Sequence, residues 1–218
     1  MKKMVVFAMV LVFGMTVTQA LAGGVAAGVK VGTLGIGADV TVGLHDRLNL
    51  RLNGNYLNFG YKDTIDDIEY DIDIDFKSAI GMLDWHPFAN AFRISAGAIY
   101  NENQIELTAT PTEPEKIGDN EYPPELIGDL EGELEFENVA PYVGIGFGHA
   151  VGENQRLSFI FDLGVILQSY EVSLDATGPV SQLPQFQQDL QREVDDIQED
   201  LDGFKIYPVV SLGIAYKF

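Results

Sequence analysis

Three aspartates, Asp71, Asp73 and Asp75, alternate with apolar residues in the first half of the chain. Their spacing resembles the start of a calcium-binding loop, which would also need glycine at position 76 and glutamate at position 82. The sequence has Phe76 and Met82 there. Alternation spreads the carboxylates along one face of a strand, so they do not converge on an ion. We expect a solvated acidic rim. A looser cation site shared with Asp63, Asp66 and Asp67 stays open.

The three histidines, His45, His86 and His149, offer no metal-ligand spacing such as H-x-x-x-H. Each falls near a predicted turn, where an interfacial role is the simpler interpretation. No serine stands in a G-x-S-x-G nucleophile motif. The absence of cysteine excludes thiol catalysis, thiolate metal sites and disulfides. We therefore expect neither an enzyme nor a bound metal or cofactor.

Seven charged residues lie where the alternating pattern directs them to the face opposite the apolar side chains. They are Arg47, Arg51, Lys77, Arg93, Asp162, Lys205 and Lys217. Charged side chains that are enclosed in a narrow protein interior must be paired or hydrated. Pairing would give a closed, salt-bridged core, and hydration would give a thin polar path. The choice depends on the elements that carry these residues.

A period of two runs through nearly every segment after residue 24 and predicts β-strands. It is clearest at the end of the chain, where the even-numbered residues from Phe204 to Phe218 are mostly large and apolar. It returns in residues 47–53, 67–86, 92–100, 139–147 and 155–168. In residues 67–86 the same reasoning puts Ile80 and Met82 outside and Lys77 inside.

Strands that cross a membrane need about 9–11 residues with apolar side chains toward lipid. Since lipid tolerates no unpaired sheet edge, such strands must close on themselves. Residues 25–44 must then supply two further short strands. We predict an all-β fold, a transmembrane antiparallel up-and-down β-barrel of eight strands.

The connections alternate in length, which orients the barrel. Short ones lie near Leu44–Arg47, Pro87–Ala91 and Ala150–Gln155, and long ones near residues 109–132 and 175–203. Outer-membrane barrels have short periplasmic turns and longer external loops. We therefore expect both ends of the barrel domain in the periplasm.

One segment of the last external loop departs from the period of two. Phe186, Leu190, Val194, Ile197 and Leu201 recur at helical spacing, which predicts an amphipathic helix over residues 185–202. Gly203 stands where such a helix would stop. We expect the helix to pack on the barrel rim, with a plug or a partner-docking helix as the alternative.

The first residues predict a secretory signal peptide. Lys2 and Lys3 precede an apolar run, and Ala20-Leu21-Ala22 is the small-x-small pattern that signal peptidase cuts. Cleavage after Ala22 would leave one barrel domain over residues 23–218, with 11 basic and 33 acidic residues and a formal charge of −22. This charge excludes nucleic acid as a partner and suits cations or cationic solutes.

The final residues, Gly213-Ile214-Ala215-Tyr216-Lys217-Phe218, resemble the C-terminal signal of outer-membrane β-barrel proteins. Tyr216 and the terminal Phe218 carry the match, together with Ile214 and Leu212. The mature chain also resembles small porin-like outer-membrane barrels of Gram-negative bacteria. Val31-Gly32-Thr33-Leu34-Gly35, Asp84-Trp85-His86-Pro87-Phe88 and Tyr207-Pro208-Val209-Val210-Ser211-Leu212-Gly213 carry that resemblance.

The resemblance implies insertion by the barrel assembly machinery and a location in the bacterial outer membrane, among lipid and lipopolysaccharide. Two functions remain open. A porin-like barrel would admit small solutes, cationic ones in view of the acidic loops. A closed structural or interaction barrel would instead bind lipopolysaccharide, cations or a surface partner through those loops.

Overall fold

The computed structural model describes residues 24–65, 68–151, 156–201 and 205–218, and the predicted signal peptide lies outside them. The strands are β1 (Val25–Gly32), β2 (Gly35–His45), β3 (Leu48–Ile65), β4 (Ile68–Trp85), β5 (Phe92–Asn101), β6 (Gln104–Thr110), β7 (Glu115–Ile117), β8 (Asn120–Tyr122), β9 (Leu130–Phe136), β10 (Val139–Phe147), β11 (Leu157–Leu167), β12 (Tyr170–Ala176) and β13 (Ile206–Lys217). The helices are α1 (Pro124–Ile127) and α2 (Pro184–Asp200), and a 3₁₀ turn lies at Pro179–Gln182. Within the described ranges, no helix has the length and apolar content needed to span a membrane.

Eight strands form a closed antiparallel ring. In chain order they are β1, β2, β3, β4, β5, β10, β11 and β13, and each pairs with the next. The last strand pairs with the first, with Val29 opposite Ile214, so the ring has no free edge. The predicted all-β, eight-stranded up-and-down barrel is confirmed. Val25 and Lys217 lie at one end, the base, and the opposite end is the mouth.

Successive side chains of a strand point alternately out of the ring and into it. The outward side chains are largely apolar and form the outer wall of the ring. Phe159 is 81% exposed on this wall, and Val31 and Leu212 are exposed as well. Many inward positions hold small or polar residues. Gly164 is one of them, since a Cβ there would lie only 2.6 Å from the Tyr142 hydroxyl. Small residues therefore leave room for the few large side chains inside.

The faces of β4 are the reverse of the prediction. Phe76, Ile80 and Met82 are buried inside, whereas Lys77 lies on the outer side and is exposed. Asp84 fixes this orientation, because it pairs with buried charges and shares its face with every other even-numbered residue of the strand. The prediction failed because it took every apolar face to be the lipid face, although part of the interior is itself apolar.

Five ring strands extend beyond the mouth into a domain that we call the head. There β6, β9 and β12 continue β5, β10 and β11 after breaks at residues 102–103, 137–138 and 168–169. With the outer parts of β3 and β4 they form a sheet in the order β3–β4–β6–β9–β12. At two of the breaks, side chains replace the interrupted strand bonds: the Asn138 side-chain amide donates to the Asn101 carbonyl oxygen at 3.1 Å.

The head has its own apolar core on its inner face, the face that continues the lumen side of the ring strands. Ile117, Ile127, Val180, Phe186 and Leu190 pack together there, from β7, α1, the 3₁₀ turn and α2. Of the apolar stripe predicted for the helix, Phe186, Leu190 and Val194 are buried on this side of α2, whereas Ile197 is exposed. The helix spans Pro184–Asp200 against the predicted 185–202, and Gly203 lies outside the described residues.

A polar anchor attaches the β7–β8 hairpin to α2. Buried Asp189 accepts hydrogen bonds from the Asn120 side-chain amide and the Tyr122 hydroxyl, both at 2.7 Å. At the other end of the helix, the Tyr170 hydroxyl donates to the Gln198 carbonyl oxygen at 3.2 Å. The helix therefore lies along β12 in a fixed position.

Candidate functional site

Four charged side chains meet inside the ring and form what we call the ion network. Arg51 of β3 binds Asp162 of β11 through two parallel hydrogen bonds of 2.9 and 3.0 Å. The same guanidinium donates to Asp84 of β4 at 3.0 Å. Arg93 of β5 donates to Asp162 at 2.6 Å, and its side chain, like the other three, is only 3% exposed.

The ion network is electrically balanced and hydrogen-bonded. Two guanidinium groups face two carboxylates, which is the arrangement that buried charges require. Ser95 donates to Asp84 at 2.6 Å, and Arg93 donates to the Gly148 carbonyl oxygen at 2.8 Å. The network therefore joins strands from opposite sides of the ring.

Further polar residues fill the lumen around the ion network. Lys30 of β1 lies 3.7 Å from Asp39 of β2, and both are buried. The cavity left among these groups measures about 10 Å³. That is about the room one water molecule needs, so this part of the lumen is filled.

An apolar layer closes the lumen nearer the mouth. Its buried members are Leu34, Ile80, Met82, Ile99, Ala140, Tyr142, Ile166 and Val209. Leu34 belongs to the turn between β1 and β2, so this turn folds inward over the ring. The turn is held by β13: Tyr207 donates its hydroxyl hydrogen to the Thr33 carbonyl oxygen at 2.9 Å, and Thr33 donates to the Pro208 carbonyl oxygen at 3.0 Å.

Two histidines close the base. The rings of His86 and His149 are stacked with centroids 4.5 Å apart. His86 Nδ1 donates to the Asn90 carbonyl oxygen at 3.0 Å, so its Nε2 accepts from the Asn49 side-chain amide at 3.2 Å. Burial lowers the pKa of both histidines. With both nitrogens of His86 engaged in this way, the pair is a structural contact, and the described residues contain no metal-binding group of three or more ligands.

Of the seven charges expected in the lumen, the ring brings three together: Arg51, Arg93 and Asp162. Arg47 is exposed in the turn after β2. Lys77 lies outside and pairs with Asp75 at 2.5 Å. Lys205 is exposed just before β13, and Lys217 is half-buried at the base. These four stand at strand ends or on the outer face, where alternation alone does not direct a side chain into the lumen.

Sequence reasoning missed Lys30, Asp39 and Asp84 in the lumen. Lys30 stands between Val29 and Val31, an alternation that would have identified it. Asp84 shares its face with Ile80 and was hidden by the reversed reading of β4. The pairing of Lys30 with Asp39 depends on the β1–β2 register, which the glycines of that hairpin obscure.

The three aspartates of the expected acidic rim lie on the outer face of the head. Asp71 pairs with Lys62, and Asp75 with Lys77. Asp73 faces Glu106, which in turn faces Glu133. The acidic face continues across the sheet and consists of Asp71, Asp73, Asp75, Glu106, Glu131, Glu133, Glu135, Glu171 and Asp175.

Like charges lie side by side on the acidic face, which destabilises a sheet. Desolvation and the neighbouring carboxylates of Glu135 and Glu106 raise the pKa of Glu133. The acids are thus spread over four strands and do not converge on one point.

The residues of the C-terminal signal end β13 at the base. Tyr216 and Phe218 point outward, with ring centroids 5.5 Å apart and planes at 76°. Their backbones are held by the neighbouring strand, since Phe218 N–H donates to the Val25 carbonyl oxygen at 3.0 Å. The signal residues therefore lie on the outer wall, at the point where the ring closes.

Comparison with known proteins supports this architecture. No protein-family model matches the chain, and no curated protein matches it. The crystal structure of Acinetobacter baumannii CarO2 resembles it with a TM-score of 0.59 and 22% identity, over 89% of this chain and 98% of that one. The crystal structure of Acinetobacter baumannii CarO does so with a TM-score of 0.57 and 21% identity, over 89% and 98%. At this identity the likeness establishes the fold alone: the chain folds as an outer-membrane β-barrel.

Proposed function

We propose that this protein is a closed barrel of the bacterial outer membrane that carries the head at the cell surface, where the head acts as a binding surface. The observation that carries the proposal is the filled lumen. The ion network and the apolar layer follow one another along the barrel, and the described side chains of both are packed together, with a cavity of about 10 Å³ beside the ion network.

Energetics favour the closed barrel over the porin-like alternative. A solute would have to separate Arg51 from Asp84 and Asp162, and removing one partner of a buried ion pair destabilises a protein by about 3–5 kcal/mol. It would also have to displace Leu34 and the side chains around it, which are packed as a core. Eight strands leave an interior just wide enough for such side chains.

The outer wall supports the proposed location. Large apolar side chains are exposed around the whole ring, including Val29, Leu163 and Ile214. Apolar surface of this extent is stable in lipid and promotes aggregation in water. The predicted signal peptide and the C-terminal residues Tyr216 and Phe218 agree with export and insertion by the barrel assembly machinery.

The head supports the proposed role as a binding surface. It has its own apolar core and a fixed helix, so it is an ordered domain beyond the mouth. Its acidic face would be directed sideways above the membrane, toward the lipopolysaccharide of the outer leaflet. In that orientation, lipopolysaccharide and its divalent cations would lie beside the acidic face.

Single-channel recording tests the proposal. We expect the refolded wild-type protein to give no conductance steps above the baseline of a planar bilayer. A matched variant that opens a gap in both layers, Leu34→Gly with Arg51→Ala and Asp162→Ala, should give measurable steps. Regular steps from the wild-type protein, in proportion to the number of inserted copies, would refute the closed barrel.

A further inference from the structure

The head sheet β3–β4–β6–β9–β12 has a free edge at the outer part of β3. Strand β2 pairs with β3 as far as Ile36 opposite Tyr56. Beyond Tyr56, residues 57–62 of β3 pair with β4 on one side, and no described residue pairs with them on the other. Residues 58–62 are all exposed. Six residues is a usual length for a β-strand, so this edge offers a template for one more strand.

The opposite edge of the head sheet is different. There, α2 lies along β12, and the Tyr170 hydroxyl binds the helix backbone at Gln198. A helix beside an edge strand is one of the ways in which proteins protect such an edge. The edge of β3 has no such cover among the described residues.

The two faces that meet at this free edge differ in chemistry. On the inner face, Phe59 is 55% exposed and Tyr61 is 49% exposed, beside Ile72 and Ile74 of β4. The outer face begins with Asn58, Gly60 and Lys62, and continues with the acids of β4. An added strand would therefore extend an apolar face on one side and a polar, acidic face on the other.

Asp73 brings negative charge to the edge itself. It lies opposite Gly60, and a Cβ built on Gly60 would lie 2.8 Å from an Asp73 carboxylate oxygen. The carboxylate thus leans over the glycine toward the open side of β3. Asp71 and Asp75 are each paired with a lysine, whereas Asp73 forms no ion pair among the described residues.

From these observations we infer that the edge of β3 binds an extended peptide segment of a partner protein, in which apolar and basic residues alternate. Backbone hydrogen bonds to β3 would provide affinity, and alternate side chains would provide specificity. Apolar side chains would cover Phe59 and Tyr61, and a basic side chain opposite Gly60 would reach Asp73. The inference deepens the proposed function, since it names the partner of the head.

A second copy of the chain does not fit as the occupant. Copies in one membrane are related by rotation about the membrane normal, so the β3 strands of both run toward the cell exterior. Two β3 edges cannot then meet in the antiparallel direction that the rest of the sheet uses. The occupant of the edge must therefore be a segment that can run antiparallel to β3.

Peptide binding to the full-length protein in zwitterionic nanodiscs tests the inference. The probe is a blocked nine-residue peptide of alternating valine and lysine, and empty nanodiscs correct for binding to lipid. We expect saturable binding that weakens about tenfold or more when alternate backbone nitrogens of the peptide are methylated, because methylation removes strand hydrogen bonds and keeps the charge. Equal binding of the methylated peptide, or no binding of either, would overturn the inference.

Two variants locate the site. Asp73→Asn should weaken binding of the lysine peptide about tenfold, and Gly60→Val should do so by filling the gap through which Asp73 reaches the edge. The matched control is Asp175→Asn, which makes the same change on β12 and should alter binding less than about twofold. If Asp175→Asn weakens binding as much as Asp73→Asn, the peptide is adsorbed on the acidic face and strand addition is wrong. The conductance test does not depend on peptide binding. A failure of the peptide-binding inference can therefore be distinguished from a failure of the closed-barrel proposal.

Discussion

Arg51 and Asp162 are 111 residues apart in the chain, yet their side chains meet inside the ring through two parallel hydrogen bonds of 2.9 and 3.0 Å. A bidentate arginine–carboxylate pair fixes both distance and orientation. Because the two residues belong to β3 and β11, the pair connects opposite sides of the ring across the lumen. Four predictions follow from the contacts around it and from those of the head.

Replacement of Arg51 should destabilise the barrel strongly. Arg51→Met leaves the carboxylates of Asp84 and Asp162 buried with one guanidinium fewer, and we expect a loss of about 3–5 kcal/mol in the free energy of unfolding. Urea unfolding in lipid vesicles, followed by the fluorescence of the single tryptophan, Trp85, measures it. Arg47→Met is the matched control in an exposed turn and should change stability by less than about 0.5 kcal/mol. Equal effects of the two substitutions would contradict the ion network.

The space around Tyr142 predicts opposite outcomes for two glycines. Gly164→Ala puts a methyl group within 2.6 Å of the Tyr142 hydroxyl, so it should destabilise the barrel by about 1–3 kcal/mol. Gly54→Ala meets nothing within 4 Å and should be neutral or slightly stabilising. The urea midpoints of the two variants measure the difference. A neutral Gly164→Ala would mean that Tyr142 does not fill this space.

The histidine pair predicts that stability falls in mild acid. Burial lowers the pKa of His86 and His149 in the folded protein, so the unfolded chain binds more protons than the folded one near their ordinary value of 6.5. Stability is therefore fully present above that pH and is lost as pH falls below about 6.5. Urea midpoints between pH 7.5 and pH 5 should show this slope in the wild-type protein.

Substitution of one member of the pair checks its source. His86→Gln should flatten the slope, because the stacked ring that must remain neutral is removed. His45→Gln, at the exposed end of β2, is the control and should leave the slope as it is in the wild-type protein. A slope that survives His86→Gln would assign the pH dependence to other groups.

The Asp189 anchor predicts local rather than global loosening. Asp189→Ala removes the acceptor of Asn120 and Tyr122, so the β7–β8 hairpin should detach from α2 and become sensitive to protease between residues 115 and 122. The ring should remain resistant under the same conditions. Asp195→Ala, an exposed change on the same helix, is the control. Resistance of the hairpin in Asp189→Ala would show that its other contacts are sufficient, namely the apolar core and the hydrogen bonds of Gly118 to Glu193 and of Arg192 to Asp119.

Local patterns predicted much of this fold. The alternation from Leu157 to Leu167 and along the last strand identifies lipid-facing residues, and the stripe from Phe186 to Val194 identifies the buried side of the helix. These patterns depend on neighbours within a few positions, which the sequence contains directly.

What could not be predicted depends on long-range register. The head sheet was missed because β6, β9 and β12 lie largely between the predicted strands and the predicted loops, and they form strands through pairing with one another and with β4. The orientation of β4 was wrong because an apolar residue such as Ile80 can face lipid or a core. The orientation of β4 is decided by the buried contact between Asp84 and Arg51, which lies 33 positions away in the chain.

The breaks near Asn101 and Asn138 separate two parts of the protein that can be altered independently. Every member of the ion network belongs to a strand segment on the ring side of these breaks, and none belongs to β6, β9 or β12. Substitutions that reshape the head therefore leave the charge balance inside the ring untouched. A redesigned head can be carried on the same sealed barrel.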